Sequence, residues 1–130
     1  MSEADKQTDD GQEITTYVYP PTTVGIGDMM VDGDLYDVND SLHHISEFKG
    51  KFILLDFWSS GCGPCVESIP EMEKVMDLYK DKITVISISE DPKARWKEYI
   101  KTKGMGGNQW NELRKGRTGL ALNYQVRGIP

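Results

Sequence analysis

One segment of this chain joins a long apolar run to both of its cysteines. The run Phe52–Trp58 is interrupted only by Asp56, and it is followed within a few residues by Cys62-Gly63-Pro64-Cys65. Apolar runs without alternation are typical of strands that are buried on both faces, as in parallel sheets covered by helices. We therefore predict a strand over Lys51–Trp58 that leads directly into a helix carrying the cysteines.

The pattern after the second cysteine is helical. Apolar residues recur at steps of four, three, four and three, which places them on one helix face. These residues are Cys65, Ile69, Met72, Met76 and Tyr79. Pro64 suits the first turn of this helix because its missing N–H has no partner there in any case. Pro70 lies within the pattern and predicts a kink near Ile69.

A second strand and a second helix follow. Ile83–Ile88 is rich in β-branched residues and predicts a strand. Asp91 is the predicted N-cap of the next helix, with Pro92 at its first position. That helix is expected to end near Gly104, and a loop to Asn111 and a short helix over Leu120–Tyr124 are expected after it. The strand–helix–strand–helix order predicts an α/β fold with parallel strands.

The segment before the first strand has weaker signals. Short apolar pieces at Met29–Val31 and Leu35–Val38 flank a turn signal and predict a β-hairpin. Ser41–Phe48 is interpreted as a helical turn or loop that docks its apolar side chains. Lys49-Gly50 then separates this segment from the strand.

Length and charge exclude several classes of protein. The chain has 130 residues and a net charge of -6, and it has no apolar run near the roughly 18 residues of a transmembrane helix. Residues 1–13 hold five acids and one lysine, so the acidity lies mostly in the first residues. A nucleic-acid binder would instead show a basic face. We expect an acidic disordered tail over residues 1–16 and one domain over 17–130, with any targeting segment removed upstream.

The cysteine pair predicts redox chemistry. Cys62 would lie at a helix N-terminus, where free N–H groups and the helix dipole stabilise a thiolate. Cys65 would lie one turn further on and be less exposed. A reactive first thiol and a sheltered second one suit thiol–disulfide exchange, in which the first attacks a disulfide and the second releases the product. Asp56, in the middle of the apolar strand, would be desolvated with a raised pKa, so it could accept the proton of Cys65 directly or through a water.

These residues resemble a known family. Residues 52–65 look like the active-site strand and loop of thioredoxin-fold proteins, and Asp56, Trp58 and the Cys-Gly-Pro-Cys tetrapeptide match in order and spacing. Glu47–Lys51 and Ile69-Pro70 are more similar to the TlpA/ResA branch, which comprises bacterial extracytoplasmic thiol–disulfide oxidoreductases with an N-terminal hairpin. Residues 126–130 are similar to the family segment that ends in a cis-proline facing the disulfide.

The resemblance implies a function and a set of site residues. Cys62 would be the nucleophile, Cys65 the resolving thiol and Asp56 the proton acceptor of a protein-disulfide reductase. Its redox centre would be the Cys62–Cys65 disulfide, with no other cofactor and no metal. Protein substrates, an upstream electron donor and an extracytoplasmic location, with anchoring through a removed N-terminal segment, are expected. The substrate-binding residues would be Trp58, Gly61, Gly63, Pro64, Ile129 and Pro130.

Two residues and the end of the chain differ from the pattern of the resembled family. Gly61 stands where thioredoxins usually have tryptophan, and Ser68 stands where many TlpA/ResA proteins have glutamate. In the resembled fold, two strands and a helix continue the domain from the cis-proline, whereas Pro130 is the last residue here. Two expectations follow: a C-terminally truncated domain whose sheet is incomplete beside Ile83–Ile88, with weakened activity, or a chain that completes its sheet by other means.

Other functions are open at this point. A thiol peroxidase using Cys62 and a non-catalytic thioredoxin-like binding module are the two alternatives. A zinc site would need four ligands, and only His43 and His44 could join the cysteine pair. Gly25-Ile26-Gly27 is not followed by a helical pattern, so it does not indicate a nucleotide-binding loop.

Overall fold

The computed structural model describes residues 23–114 and 118–130 of the chain. The predicted acidic tail over residues 1–16 lies outside the described residues. The described elements are β1 (Leu35–Tyr36), β2 (Leu42–His43), a 3-10 helix (Ile45–Phe48), β3 (Phe52–Trp58), α1 (Gly63–Glu67), α2 (Ile69–Leu78), β4 (Ile83–Ser89), α3 (Lys93–Lys103), β5 (Asn108–Asn111) and α4 (Leu120–Asn123).

The strands form one mixed sheet in the order β2-β1-β5-β4-β3. Strand β4 runs parallel to β3 on one side and to β5 on the other. Strand β1 is antiparallel to both β5 and β2. The predicted α/β fold with parallel strands is confirmed, and the helical segment that follows β3 carries the cysteines.

The N-terminal hairpin uses one of the two predicted strands, because β1 lies within Leu35–Val38 but pairs with β2. Leu35 pairs with His43 and Tyr36 with Leu42, whereas Met29–Val31 forms no strand. The hairpin turn lies at Val38-Asn39, where the Asp37 carboxylate accepts from the Asn39 N–H at 2.8 Å. An aspartate that caps its own turn in this way favours a reversal at that point.

A strand replaces the second half of the predicted loop Gly104–Asn111. Asn108–Asn111 is β5, and it lies between β4 and β1 in the sheet. The segment Asn-Gln-Trp-Asn has little β propensity of its own, so its pairing partners decide its conformation.

The helices agree with the prediction except at the start of α3. The helical segment after β3 is interrupted at Ser68, between α1 and α2, which confirms the kink near Ile69. The predicted cap of the later helix is wrong, because α3 begins at Lys93 with Pro92 at the N-cap position. The Asp91 carboxylate instead accepts hydrogen bonds from other segments. The short helix α4 is confirmed at Leu120–Asn123.

The described residues fall into two compact units. One comprises residues 32–113 and 128–130, and the other comprises 23–31, 114 and 118–127. In the second unit, the Val24 N–H donates to the Asn123 carbonyl at 2.8 Å, and the Tyr124 hydroxyl donates to the Val31 carbonyl at 2.7 Å. The sheet and both cysteines belong to the first unit.

Different groups of side chains pack on the two faces of the sheet. On the cysteine side, Trp58, Cys65, Trp96 and Ile100 form one buried cluster. On the other side, the Trp110 ring stacks on the rings of His43 and Phe48, with centroids 4.5 and 5.9 Å away. Trp96 and Trp110 are therefore both packing residues.

Strand β3 is an edge within the described part of the chain. It pairs with β4 alone, and Phe52 and Leu54 are 79% and 40% exposed. The prediction that the whole run is buried on both faces is therefore wrong for its first half. The gap expected beside Ile83–Ile88 is not found, because β4 has a hydrogen-bonded partner on each side.

Candidate active site

The Cys62–Cys65 disulfide closes the start of α1. Cys62 is the N-cap residue with an extended backbone, and Pro64 follows in the first turn. The Cys65 N–H points at the Cys62 sulfur at 3.2 Å. A backbone donor aimed at this sulfur would stabilise a thiolate there once the disulfide is reduced.

The two cysteines differ in exposure. The Cys65 residue is 2% exposed, whereas Cys62 is only partly buried at the edge of the buried cluster. Only the first sulfur is therefore placed to meet a protein substrate, and the second is sheltered behind it. This is the asymmetry that the sequence predicted.

Asp56 lies in the half of β3 nearer to the cysteines. Partial burial raises the pKa of its carboxyl, and a hydrogen bond from the Ser87 hydroxyl to Oδ2 at 3.4 Å opposes this shift. Asp56 and Cys65 line the same small cavity, which lies between the sheet and helices α1 and α2. The carboxyl can therefore serve as a proton acceptor close to the buried cysteine.

Ile129 and Pro130 lie beside Cys62, the more exposed of the two cysteines. The Ile129–Pro130 peptide is cis, as the resemblance implied, and the Ile129 carbonyl oxygen lies 3.7 Å from the Cys62 sulfur. This brings together residues 67 positions apart in sequence. The backbone of Ile129 and the reactive sulfur thus share one surface.

The remaining predicted substrate-binding residues fall into two groups, one exposed around the disulfide and one buried beneath the loop. Gly61, Gly63 and Pro64 are exposed around the disulfide, and a Cβ placed on either glycine would meet no more distant part of the described chain within 4 Å. Trp58 is 3% exposed and lies beneath the loop, with its ring 5.7 Å from that of Tyr99. Because the Trp58 indole is buried, it packs beneath the loop and does not contribute to the exposed surface around the disulfide.

A buried carboxylate that the sequence interpretation missed holds the loop before Cys62. Asp91 is 7% exposed, and its carboxylate accepts from the Ser60 N–H at 2.8 Å. It also accepts from the hydroxyls of Ser60 and Ser89 at 3.1 and 3.0 Å. The Asp-Pro dipeptide indicated a helix cap, and no local signal distinguishes that role from the observed one.

The two histidines are engaged with acids. His43 contacts Asp37 at 2.7 Å and Glu47 at 3.1 Å, and His44 contacts Asp34 at 2.8 Å. Among residues 23–114 and 118–130, no group of three or more His, Cys, Asp or Glu side chains is arranged to hold a metal ion.

Comparison with known proteins identifies the family. The profile of the Redoxin family matches residues 21–110, which is more than half of the chain. The chain belongs to the redoxin family. Within this family the TlpA/ResA-type resemblance is also confirmed, because the thiol–disulfide oxidoreductase ResA of Geobacillus kaustophilus is 28% identical over 94 residues. That match covers 70% of this redoxin and 53% of the relative.

Solved structures agree with this placement. The thioredoxin domain of a thiol–disulfide oxidoreductase from Bacteroides vulgatus superposes with a TM-score of 0.72 at 27% identity, covering 83% of this redoxin and 79% of that chain. An exposed lipoprotein thioredoxin from Streptococcus pneumoniae gives a TM-score of 0.62 at 26% identity, with 77% of each chain covered. These matches confirm the thioredoxin-like fold. The redoxin spans about half the length of the curated relatives that it matches.

Proposed function

We propose that this redoxin is a thiol–disulfide oxidoreductase that reduces disulfides of protein substrates. The observation that carries the proposal is the Cys62–Cys65 disulfide at a helix start, with its first sulfur partly exposed and its second buried beside Asp56. The family membership supports the same chemistry. The disulfide is its own redox centre, and we propose no further cofactor.

The reaction starts from the reduced protein. The Cys62 thiolate, stabilised by the Cys65 N–H, attacks one sulfur of the substrate disulfide and forms a mixed disulfide. The other substrate sulfur leaves as a thiolate and takes a proton from solvent. An extended substrate segment would lie along the Ile129 carbonyl, which is next to Cys62.

The second step releases the substrate. The Cys65 thiol loses its proton to the Asp56 carboxylate, and the resulting thiolate attacks the Cys62 sulfur. The Cys62–Cys65 disulfide forms, the bond to the substrate breaks, and the second substrate sulfur leaves as a thiolate. The substrate has gained two electrons, and an upstream electron donor must return them to the protein.

Reduction of insulin disulfides tests this proposal. With dithiothreitol as the donor, the wild-type protein should accelerate insulin reduction, and Cys62→Ser should not. Cys65→Ser, reduced beforehand and freed of dithiothreitol, should instead form a mixed disulfide with insulin that persists, visible as a higher-mass band on a non-reducing gel. A wild-type protein that turns over peroxide but leaves insulin oxidised would replace the proposal with a peroxidase. Inactivity in both assays would leave a binding module.

The proposal includes the direction in which the Cys62–Cys65 couple transfers electrons. The Gly-Pro pair between the cysteines is the one found in reducing thioredoxins, so the couple should have a potential nearer to the roughly −270 mV of thioredoxin than to the roughly −120 mV of strong disulfide-forming oxidants. Equilibration with glutathione measures this potential.

We also propose an extracytoplasmic location with attachment through an N-terminal segment, which is supported by the likeness to an exposed lipoprotein. Protease accessibility in intact cells would test it. Within residues 23–114 and 118–130, the structure contains no helix with the length and hydrophobicity of a membrane span.

A further inference from the structure

Three polar residues form a row across the sheet beneath the disulfide. Asp56 of β3 is the register partner of Ser87 in β4, and Ser87 is the register partner of Gln109 in β5. Register partners project from the same face of a sheet, so all three face the cysteine side. Ser87 and Gln109 are 3% and 7% exposed. Such polar groups are costly to bury unless each finds a hydrogen-bond partner.

The row opens into the cavity that Cys65 lines. The cavity has a volume of about 20 Å³, and its lining includes Asp56, Ser87 and Gln109 together with Trp58. A polar site needs roughly 10–15 Å³ to hold one water molecule. The cavity is therefore large enough for a single water and too small for a substrate.

Two buried polar atoms of this lining have no hydrogen-bond partner among the described residues. They are the acceptor Gln109 Oε1 and the donor Trp58 Nε1. The other end of the Gln109 amide is held, because its Nε2 donates to the Gly106 carbonyl at 3.1 Å. The Ser87 hydroxyl already donates to Asp56. The Gln109 carbonyl is thus the fixed acceptor of the row that has no protein donor.

We propose that Gln109 is a positioning residue of the resolving step, whose side-chain carbonyl orients one water between the Cys65 thiol and the Asp56 carboxylate. This inference rests on the proposed function, since the proton of Cys65 moves only in that step. The water donates one hydrogen to Gln109 Oε1 and the other to Asp56. As Cys65 gives its proton to the water, the water gives one to Asp56, so the water is unchanged and the Cys65 thiolate is free to attack Cys62.

Few charged groups face this water. The titratable side chains that line the cavity besides Asp56 are Cys65 from α1 and Glu73 from α2. Strands β4 and β5 contribute the neutral Ser87 and Gln109. A change at Gln109 therefore acts on the pKa of Asp56 through the water and not through a change of charge.

A crystal structure of the oxidised wild-type protein at high resolution tests the water without any variant. The expected result is one ordered water within hydrogen-bond distance of both Gln109 Oε1 and the Asp56 carboxylate. A dry cavity, or a water that contacts only one of the two, would overturn the proposal.

The variant Gln109→Met tests the effect on chemistry, because methionine has a similar shape but no acceptor. With the orienting group lost, the carboxylate loses a donor, so the pKa of Asp56, measured by carboxyl ¹³C NMR on the oxidised protein, should rise. The resolving step in single-turnover kinetics should slow roughly fivefold to tenfold, as expected for one lost hydrogen bond, and its pH profile should move upward. An unchanged pKa with an unchanged rate would contradict the inference.

Asn108→Leu is the matched control. Asn108 lies next to Gln109 in β5 and donates to the Val85 carbonyl at 3.1 Å, but it does not line the cavity. Its loss should lower stability without moving the pKa of Asp56 or the resolving rate. If insulin reduction is present in the wild type and Gln109→Met alters neither quantity, this inference fails while the proposed function stands. If insulin reduction is absent, the proposed function fails whatever the NMR result.

Discussion

Asp56 is the residue at which the demands of stability and of chemistry conflict. Partial burial raises the pKa of its carboxyl, so the ionised form is less stable in the folded chain than in the unfolded chain. The proposed thiol–disulfide exchange would need that ionised form as a proton acceptor near neutral pH. The protein therefore carries a group that lowers its own stability at the pH where the group would act.

Replacing this carboxyl by an amide should stabilise the protein at neutral pH. Because the pKa of Asp56 is higher folded than unfolded, the wild type loses stability as the pH rises from about 4, the value for an unfolded aspartate, through the folded pKa. Asp56→Asn does not ionise, so its Tm should exceed that of the wild type at pH 7 and approach it at pH 3. Thermal denaturation at both pH values checks this, with the exposed Asp77→Asn as the control. A lower Tm for Asp56→Asn at pH 7 would contradict it.

The same variant should be slow in the resolving step. A positioned general base contributes about 100-fold or more, so a fall of that order is expected for Asp56→Asn. The wild-type rate should rise with pH as Asp56 ionises, and the variant should lack this rise. Single-turnover release of a chromophoric thiol from the mixed disulfide measures both. A variant that keeps the wild-type pH profile would show that another group accepts the proton.

Asp91 is a second buried carboxylate, and its structural role depends on the three donors that it accepts from. Asp91→Ala would leave the Ser60 N–H and two serine hydroxyls without their acceptor, so a loss of roughly 3 kcal/mol in the free energy of unfolding is expected. Denaturant unfolding measures it. Asp77→Ala, at an exposed position of α2, should change stability by no more than about 0.5 kcal/mol. Equal effects of the two substitutions would contradict the structural role of Asp91.

At the scale of elements, His43 joins the β1–β2 hairpin to the 3-10 helix. Its two ring nitrogens contact Asp37 and Glu47, and both carboxylates act as acceptors. Only the doubly protonated imidazolium can donate to both. These hydrogen bonds, first that to Asp37 and then that to Glu47, raise the pKa of His43. The stacking of His43 on Trp110 extends the connection to β5.

This arrangement predicts a pH-dependent contribution to stability. Since the folded pKa of His43 is raised, its contribution is fully present below the unfolded value of about 6.5 and is lost as the pH rises through the folded pKa. The Tm difference between wild type and His43→Gln should therefore be larger at pH 6 than at pH 9. His44→Gln is the control, because its only described ion pair is with the exposed Asp34. A gap for His43→Gln that grows toward pH 9 would refute the interpretation.

At the scale of the whole molecule, the strands of the sheet differ in how many hydrogen-bonded neighbours they have. Strand β4 has hydrogen-bonded partners on both sides, whereas β3 pairs with β4 alone within the described residues. Every other amide of β3 therefore points away from the sheet, beside the exposed side chains of Phe52 and Leu54. Strand β3 is thus held in place by its hydrogen bonds to β4 and by the packing of Trp58 in the buried cluster that also contains Cys65.

Hydrogen exchange of the native protein should reveal this difference. The outward amides of β3 should exchange faster than those of β4, on the order of 100-fold, because exchange from a paired central strand requires cooperative opening. Residue-resolved NMR in D₂O measures both strands in one sample, with β4 as the internal control. Equal protection along β3 and β4 would mean that another segment covers this edge.

The elements that sequence predicted correctly are those with local signals. The strand ending at Trp58, the helix break at Ser68 and the β-branched strand β4 are encoded within a few residues of where they occur. The hairpin pairing of Leu42–His43 and the strand Asn108–Asn111 were missed, because neither two residues nor a polar tetrapeptide has a periodicity to detect. Their conformation is decided by the strands beside them.

For the site, the sequence alone determined the cysteine pair, its position at a helix start and the carboxyl of Asp56 in an apolar strand, because these features lie within ten residues of one another. Only the tertiary structure decided which groups surround them. Ser87 and Gln109 reach the site from β4 and β5, and Asp91 reaches it from the loop after β4, 31 residues from Ser60. The resemblance placed Ile129 at the disulfide, and the structure adds its contact with Cys62 across 67 residues. A hydrogen bond between such distant residues depends on strand register and loop path, and no local pattern specifies either.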